Sequence, residues 1–433
     1  MAEIKAFRAW RYNDDLTRNI EQLTSPLFDV VSDKQRESLY HNPFNSIHIS
    51  VPNGERPALN GKKILQKWKE TGVLMRDQIP GIYVYYQYFT LPGDSREHCR
   101  KGFVCNIRAY EWEENTILRH ENTMPRSVED RRGLLEHLKM DVSPTHGLYT
   151  DSKCTIEKYL DESMQNPIYE TEDYQGVRDV LSVINDYAVI KKIMAVLSDK
   201  QVILADGHHR YEGTLSYIRQ QREKNPQHTG NQAWNYHLMY LTNTETADLR
   251  ILPTHRLVAG LDGFDENSFL GKLEEYFTIE PVDNPEDVYE LILGKQWAFG
   301  VLAGNSAYRI RLKPDRFEGM TWKFPDMVKE LDLTVMHYFI FAKVLGIRGE
   351  AQRTSPHFSY ERNFATCCRM VLTGEAQVAI ITQDLSLETV KKVCYSGFTL
   401  PQKSTYFYPK VICGYLFGSI DEKEQNEEID SCF

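Results

Sequence analysis

Hydrophobic and polar positions along the chain follow two rhythms, and the switches between them predict the elements. Phe44 to Pro52 (FNSIHISVP) alternates and predicts an early strand, whereas Leu59 to Leu74 repeats Ile64, Leu65, Trp68 and Val73 at helical spacing. Ile82 to Leu91 (IYVYYQYFTL) and Lys101 to Tyr110 (KGFVCNIRAY) are rich in aromatic and β-branched residues and predict paired strands. Ser127-Val128-Glu129-Asp130 has the form of a capping box, opening a helix that buries Leu134, Leu135 and Leu138. Val189 to Leu197 predicts a short helix, Gln201 to Ala205 a buried strand, and the residues from there to about Arg222 a helix. Glu223 to Asn235, with Pro226 and Gly230, predicts a surface loop before strand character resumes at Tyr236 to Leu241.

Beyond Pro253 helices and strands alternate. Asn267 to Phe277, Pro285 to Leu293 and Leu331 to Leu345, the last stopped by Gly346, predict helices. Trp297 to Leu302, Tyr308 to Leu312 and Gln377 to Thr382 predict strands. The fold class expected is α+β, in two lobes: residues 1–250, residues 251–420, and an acidic flexible tail at 421–433.

One junction carries more polar chemistry than a fold requires. In QVILADGHHRYEGTLSYI, Gln201 to Ile218, an apolar strand runs into Asp206-Gly207-His208-His209-Arg210 and then into a helix. Gly207 permits a sharp turn or close approach to a ligand. The first amides of the helix lack internal partners and sit at the positive end of its dipole, which makes an anion site. His208, His209 and Arg210 add donors, and Asp206 offers the carboxylate that a magnesium ion prefers. The plainer alternative makes Asp206 a helix cap with the histidines and arginine in surface hydrogen bonds. A transition-metal site is disfavoured, because adjacent helical histidines diverge by about 100°.

Composition narrows the partners. The chain has 433 residues, 41% hydrophobic and 26% charged, and a net charge of −10. That length exceeds one simple core, and the charge lacks the basic stripe that grips a phosphodiester backbone, so neither DNA nor RNA is an expected partner. No apolar run is long enough to span a membrane, and the N-terminus lacks signal-peptide character, so the expected location is the cytoplasm. The eight cysteines contain no C-x-x-C pair and are expected to be packing residues.

The string ADGHHRYE resembles the hallmark of a bacterial family known as domain of unknown function 1015. So do FRAWRYN (Phe7 to Asn13), FDVVS (Phe28 to Ser32), NPFN (Asn42 to Asn45), HENT (His120 to Thr123), GLYTD (Gly147 to Asp151), LPTHRL (Leu252 to Leu257) and KSTYFYPK (Lys403 to Lys410). The chain departs from that family's usual proline pair, having Ser25-Pro26-Leu27-Phe28-Asp29. The D-G-H-H-R core also resembles the nucleotide motif of the ParB/sulfiredoxin-like superfamily, including the free-serine kinases. That resemblance implies a nucleotide unit in the N-terminal half and phosphoryl transfer between ADP or ATP and serine or phosphoserine, with magnesium. Asp206 to Arg210 would handle nucleotide or phosphate, with Asp206 as the metal ligand. A separate glutamate would take the serine proton, and Glu121, beside His120 in HENT, is the candidate.

Lesser candidates are Lys403, Ser404 and Thr405 with Lys410, which could line a phosphate pocket although the P-loop frame is missing, and His255 with Arg256 as a further anion contact. His337, inside an apolar helix, is expected to be a satisfied core histidine. The expected partners are a small phosphorylated metabolite or amino acid and a nucleotide, and a homodimer is compatible with the sequence. Two rival readings are a nucleotide-driven switch like the partition CTPases and a metal hydrolase using His208 and His209.

Overall fold

A computed structural model describes residues 1–91, 94–173, 175–349, 351–401 and 403–424. The fold is mixed α+β. The chain divides into two compact units: residues 1–119, 123–250 and from 409 onward form the first, and residues 120–122 and 251–408 the second.

The first unit is built on a nine-stranded sheet. In chain order its strands are β1 (Ile4–Lys5), β2 (Ile82–Phe89), β3 (His98–Arg108), β4 (Ile117–Leu118), β5 (Thr145–Tyr149), β6 (Tyr169–Glu172), β7 (Arg178–Ile184), β8 (Val202–Asp206) and β9 (Tyr236–Asn243). Across the sheet they run β4-β8-β5-β9-β3-β2-β7-β6, with β1 also beside β3. The β8–β4 and β9–β5 pairs are parallel and the rest antiparallel.

Both faces of this sheet are covered, which is why β2 is aromatic along its length instead of alternating with polar residues. Successive side chains point to opposite faces. Ile82 and Val84 thus enter one hydrophobic cluster with Ile193 of helix Tyr187–Leu197 and Leu215 of helix His208–Lys224. Tyr83 and Tyr85 enter a second cluster with Trp68 of helix Pro57–Glu70 and Leu138 of helix Pro125–Leu138.

The second unit has a six-stranded antiparallel sheet. Its strands are β10 (His255–Val258), β11 (Phe277–Val282), β12 (Ala298–Ala303), β13 (Ser306–Leu312), β14 (Phe358–Glu361) and β15 (Val378–Ile381), in the order β11-β13-β12-β15-β10-β14.

Several local expectations change. Residues 44–52 are not a strand: Ile47–Ser50 is a helical turn. Asn45 accepts from the Ile47 amide at 2.9 Å and donates to the carbonyls of Gln22 and Thr24, so local side-chain bonds win over the alternating pattern. The helix holding Leu134 begins at Pro125 with no side-chain cap, so Ser127 lies inside its first turn and Pro125 supplies the start. The helix expected to reach Leu74 ends at Glu70, and Leu74 instead pairs with Tyr12. Residues 267–277 end their helix at Glu274, and Phe277 opens β11. The apolar segment before Gly346 starts as helix Asp332–Val335 and widens into a π-helix over Met336–Val344.

The final segment also differs from expectation. Residues from 409 belong with the first unit, since Phe417 bridges Trp10 and Gly418 pairs with Asp141. The start of the acidic segment is anchored: Glu424 accepts from Trp10 Nε1 at 2.8 Å and Lys69 Nζ at 2.7 Å, and Glu422 from Trp234 Nε1 at 2.8 Å. Residues 425–433, with Cys432, lie outside the described part, as does Gln402.

Candidate functional site

Strand β8 delivers four buried apolar residues, Val202 to Ala205, and then Asp206. Gly207 follows with φ +93°, in the left-handed region that favours glycine. A Cβ there would lie 2.5 Å from Thr145 Cγ2 and 3.0 Å from Arg210 Nη2, so packing demands glycine as well. The helix starts at His208 with Gly207 as its N-cap and no side-chain cap bond. Asp206 therefore does not cap the helix.

Its carboxylate is committed to two cations instead. Oδ2 accepts from Arg210 Nη2 at 2.8 Å, and Oδ1 pairs with Lys410 Nζ. Burial alone would raise the Asp206 carboxyl, but Lys410 and Arg210 outweigh it and hold the group well below the usual carboxylate range. The other arm of Arg210 donates to the Pro144 carbonyl at 2.5 Å and to Ser143 Oγ at 3.3 Å. His208 is buried at 5% exposure, and His209 is half-buried; neither ring is turned out into bulk water.

This turn is one end of a buried polar row that crosses six adjacent strands. Asp206 pairs in register with His146, and His146 with Tyr240. Arg100 lies over the Tyr240 ring at 5.5 Å and pairs in register with Gln87, which in turn pairs with Asp179. The Arg100 guanidinium donates to Gln87 Oε1 and to the Pro409 carbonyl. Gln87 Nε2 donates to Asp179 Oδ1 at 2.8 Å and to the Lys410 carbonyl at 3.0 Å. Tyr85 also donates to Asp179 Oδ1, at 2.5 Å. Burial pushes the Asp179 carboxyl up to about 7 against the lowering effect of these two bonds.

Positive charge is in excess around His146. Burial pushes its imidazole well below its ordinary value, and Arg100, Lys410 and Arg210 push the same way while Asp206 alone opposes them. Its Nε2 meets Thr242 Oγ1 at 2.8 Å. Three buried or half-buried cations against one fully ionised carboxylate make a setting suited to an anion.

The remaining candidates lie in the second unit. His120 is fully buried, and its Nε2 meets Thr405 Oγ1 at 2.7 Å. Glu121 is half-buried and its charge acts on Arg256. Arg256 is buried in strand β10, bonded to the Thr254 carbonyl and, at 3.2 Å, to the Lys403 carbonyl. Burial lowers its guanidinium to about 10, and Tyr360 and Glu121 act in the opposite sense. Ser404 is buried and donates to the Pro401 carbonyl at 2.5 Å; Lys403 is exposed.

Two expectations are corrected by this geometry. His255 and Arg256, expected as a further anion contact, lie in a strand paired on both sides. Burial, then Arg256, lowers the His255 imidazole to about 4, and its Nδ1 accepts from the Thr382 amide at 3.3 Å, which is the behaviour of a core histidine. Asp206 as a magnesium ligand also fits poorly, because both its oxygens are engaged by cations. Among the described residues no group of three or more histidine, cysteine or carboxylate side chains could hold a metal.

The KSTYFYPK string is divided: Lys403, Ser404 and Thr405 belong to the second unit, and Lys410 joins Asp206 in the first. Arg100, Gln87, His146 and Asp179 were not predicted at all. The available signal was a lone Gln87 inside an aromatic strand and Arg100 at the head of another, each a polar residue where the pattern calls for burial.

Comparisons with known proteins agree with the family resemblance. A family model described as "Protein of unknown function (DUF1015)" matches residues 4–334. No curated protein matches the chain. Among solved structures, a free serine kinase in complex with AMP is similar at 11% identity and a TM-score of 0.34, over 67% of this chain and 83% of that one. A conserved hypothetical protein from Pyrococcus furiosus is similar at 12% identity and TM-score 0.34, covering 68% and 89%. C-terminally truncated SbnI from Staphylococcus aureus is similar at 12% and TM-score 0.37, covering 76% and 94%.

Proposed function

The chain belongs to the DUF1015 family, and from that premise we propose that it is a phosphotransferase acting between a nucleotide and serine or phosphoserine, with phosphate handled at the Asp206 turn. The observation carrying this reading is the excess of buried and half-buried cations around His146, next to a helix that opens on a left-handed glycine.

Phosphoryl transfer asks the protein mainly to align donor and acceptor and to neutralise charge on the moving group. In the proposed arrangement Asp206 orders Arg210 and Lys410, whose field, with that of Arg100, favours phosphate oxygens. The first-turn amides and the His208 and His209 rings donate hydrogen bonds. Glu121 is proposed as the base. The serine oxygen attacks phosphorus, the bond from phosphorus to the nucleotide's bridging oxygen breaks, and the hydroxyl proton passes to Glu121. With ADP the products are phosphoserine and AMP; the same steps reversed regenerate serine.

The test is phosphorus NMR of the protein with serine and ADP or ATP, and with phosphoserine and AMP or ADP, each with and without magnesium. The expected result is turnover in at least one direction, abolished by Asp206→Asn and lowered at least about a hundredfold by Glu121→Gln, the low end for a general base. Nucleotide binding without turnover would replace this reading by the nucleotide-driven switch. Neither binding nor turnover would discard the phosphate assignment.

A further inference from the structure

The second unit contains a cavity of about 560 Å³, a size typical of small-molecule sites. Trp322, Phe324, Tyr360 and Leu400 are among its apolar lining residues, and Thr334, His337 and Gln352 among its polar ones. Trp322 is held edge-on by Tyr338 at 5.1 Å and Phe324 at 5.8 Å.

Two buried polar atoms in this lining have no hydrogen-bond partner among the described residues: Thr334 Oγ1 and His337 Nε2. Thr334 is 1% exposed and His337 7%. Interior polar groups are ordinarily satisfied, and an orphan calls for an explanation. The two residues are three apart, at the junction where the helix widens into its π-helical stretch, a local form frequent at functional sites.

Neighbouring bonds define which way each group faces chemically. Gln352 Nε2 donates to the carbonyls of His337 at 2.9 Å and Ile347 at 2.8 Å, so its amide is oriented with Oε1 toward His337. His337 Nδ1, 2.9 Å from that oxygen, must then carry the proton. Burial, then the charge of Arg256, pushes the imidazole down to about 3, so the ring is neutral and Nε2 is a bare acceptor. Thr334 and His337 thus bring one hydroxyl and one bare acceptor to a lining that also holds aromatic walls.

We propose that this cavity is a second ligand site, taking a small aromatic molecule that carries an O–H or N–H donor, with Thr334 and His337 as the recognising groups. No residue of the Asp206 turn is in its lining, which does include Asn122, the neighbour of Glu121.

Phenol is the probe, and anisole, its methyl ether, is the same shape without the donor. Saturation-transfer NMR on the full chain should show phenol binding more tightly than anisole by about fivefold or more, the loss expected for one hydrogen bond of about 1 kcal/mol. His337→Phe should bring phenol down to the anisole level. Thr334→Val, which keeps the shape, should weaken phenol by a similar factor and leave the melting temperature unchanged or raised, because the hydroxyl has no partner to lose. Equal binding of phenol and anisole, no binding of phenol, or a marked fall in melting temperature for Thr334→Val would each overturn the proposal.

Discussion

At the scale of single residues, the Asp206 carboxylate and its two cations form a buried set whose members depend on one another. Lys410→Met leaves a largely buried carboxylate with one partner, and should cost about 3 kcal/mol in urea unfolding at pH 7. The double variant with Asp206→Asn should lose less than the sum of the two single losses, since both remove the same interaction. The acid limb follows from the lowered carboxyl. The stability Asp206 contributes is fully present above its unfolded value of about 4 and is lost as pH falls through its lower folded value. Asp206→Asn should therefore be less stable at pH 7 and show a flatter decline on acidification. Asp179 has the opposite sign: raised to about 7 in the fold, its contribution is complete below about pH 4 and lost as pH rises to about 7. Asp179→Asn should flatten that limb, as read from urea midpoints between pH 4 and pH 8.

At the scale of elements, the strand–turn–helix from Val202 to Lys224 works because its one irregular residue is where both neighbours need it. Gly207→Ala imposes a side chain on φ +93° and drives a Cβ to within 2.5 Å of Thr145 Cγ2. The expected loss is about 2 kcal/mol or more, measured by thermal unfolding. Adding Thr145→Ser, which removes the clashing methyl, should recover part of it; the backbone strain should remain. Strand β10 shows the reverse situation, in which residues that look like loop chemistry are buried in a ladder.

At the scale of the molecule, the C-terminal segment decides whether the first unit closes. Tyr415, Leu416 and Phe417 sit in the cluster that covers one face of its sheet, and Lys410 sits in its polar row. Each large apolar side chain buried there contributes about 1.5–3 kcal/mol, against a total stability of about 5–15 kcal/mol. A chain ending at Tyr408 should therefore lose the cooperative unfolding of the first unit, seen as early loss of protease-resistant fragments from residues 1–250. A transition unchanged from the full chain would show that the segment is dispensable. No helix among the described residues is long and apolar enough to cross a membrane.

What the linear order of residues determined by itself is local. The buried strand before Asp206, the turn at Gly207, the helix after it, and the stop at Gly346 all follow from side-chain period and backbone preference within a few neighbours. The mixed fold class was legible for the same reason, whereas the family was legible only through resemblance to known sequences. What only the tertiary structure decided is partnership. Lys410 reaches Asp206 across 204 positions, Arg100 meets Gln87 and Gln87 meets Asp179 through sheet register, and His255 becomes a core residue because β14 and β15 flank its strand. The orphaned atoms of Thr334 and His337 likewise belong to the cavity, not to any motif. Short-range pattern sets backbone shape. Which charges end up sharing one buried space depends on how strands order themselves across a sheet, and no window of neighbouring residues contains that information.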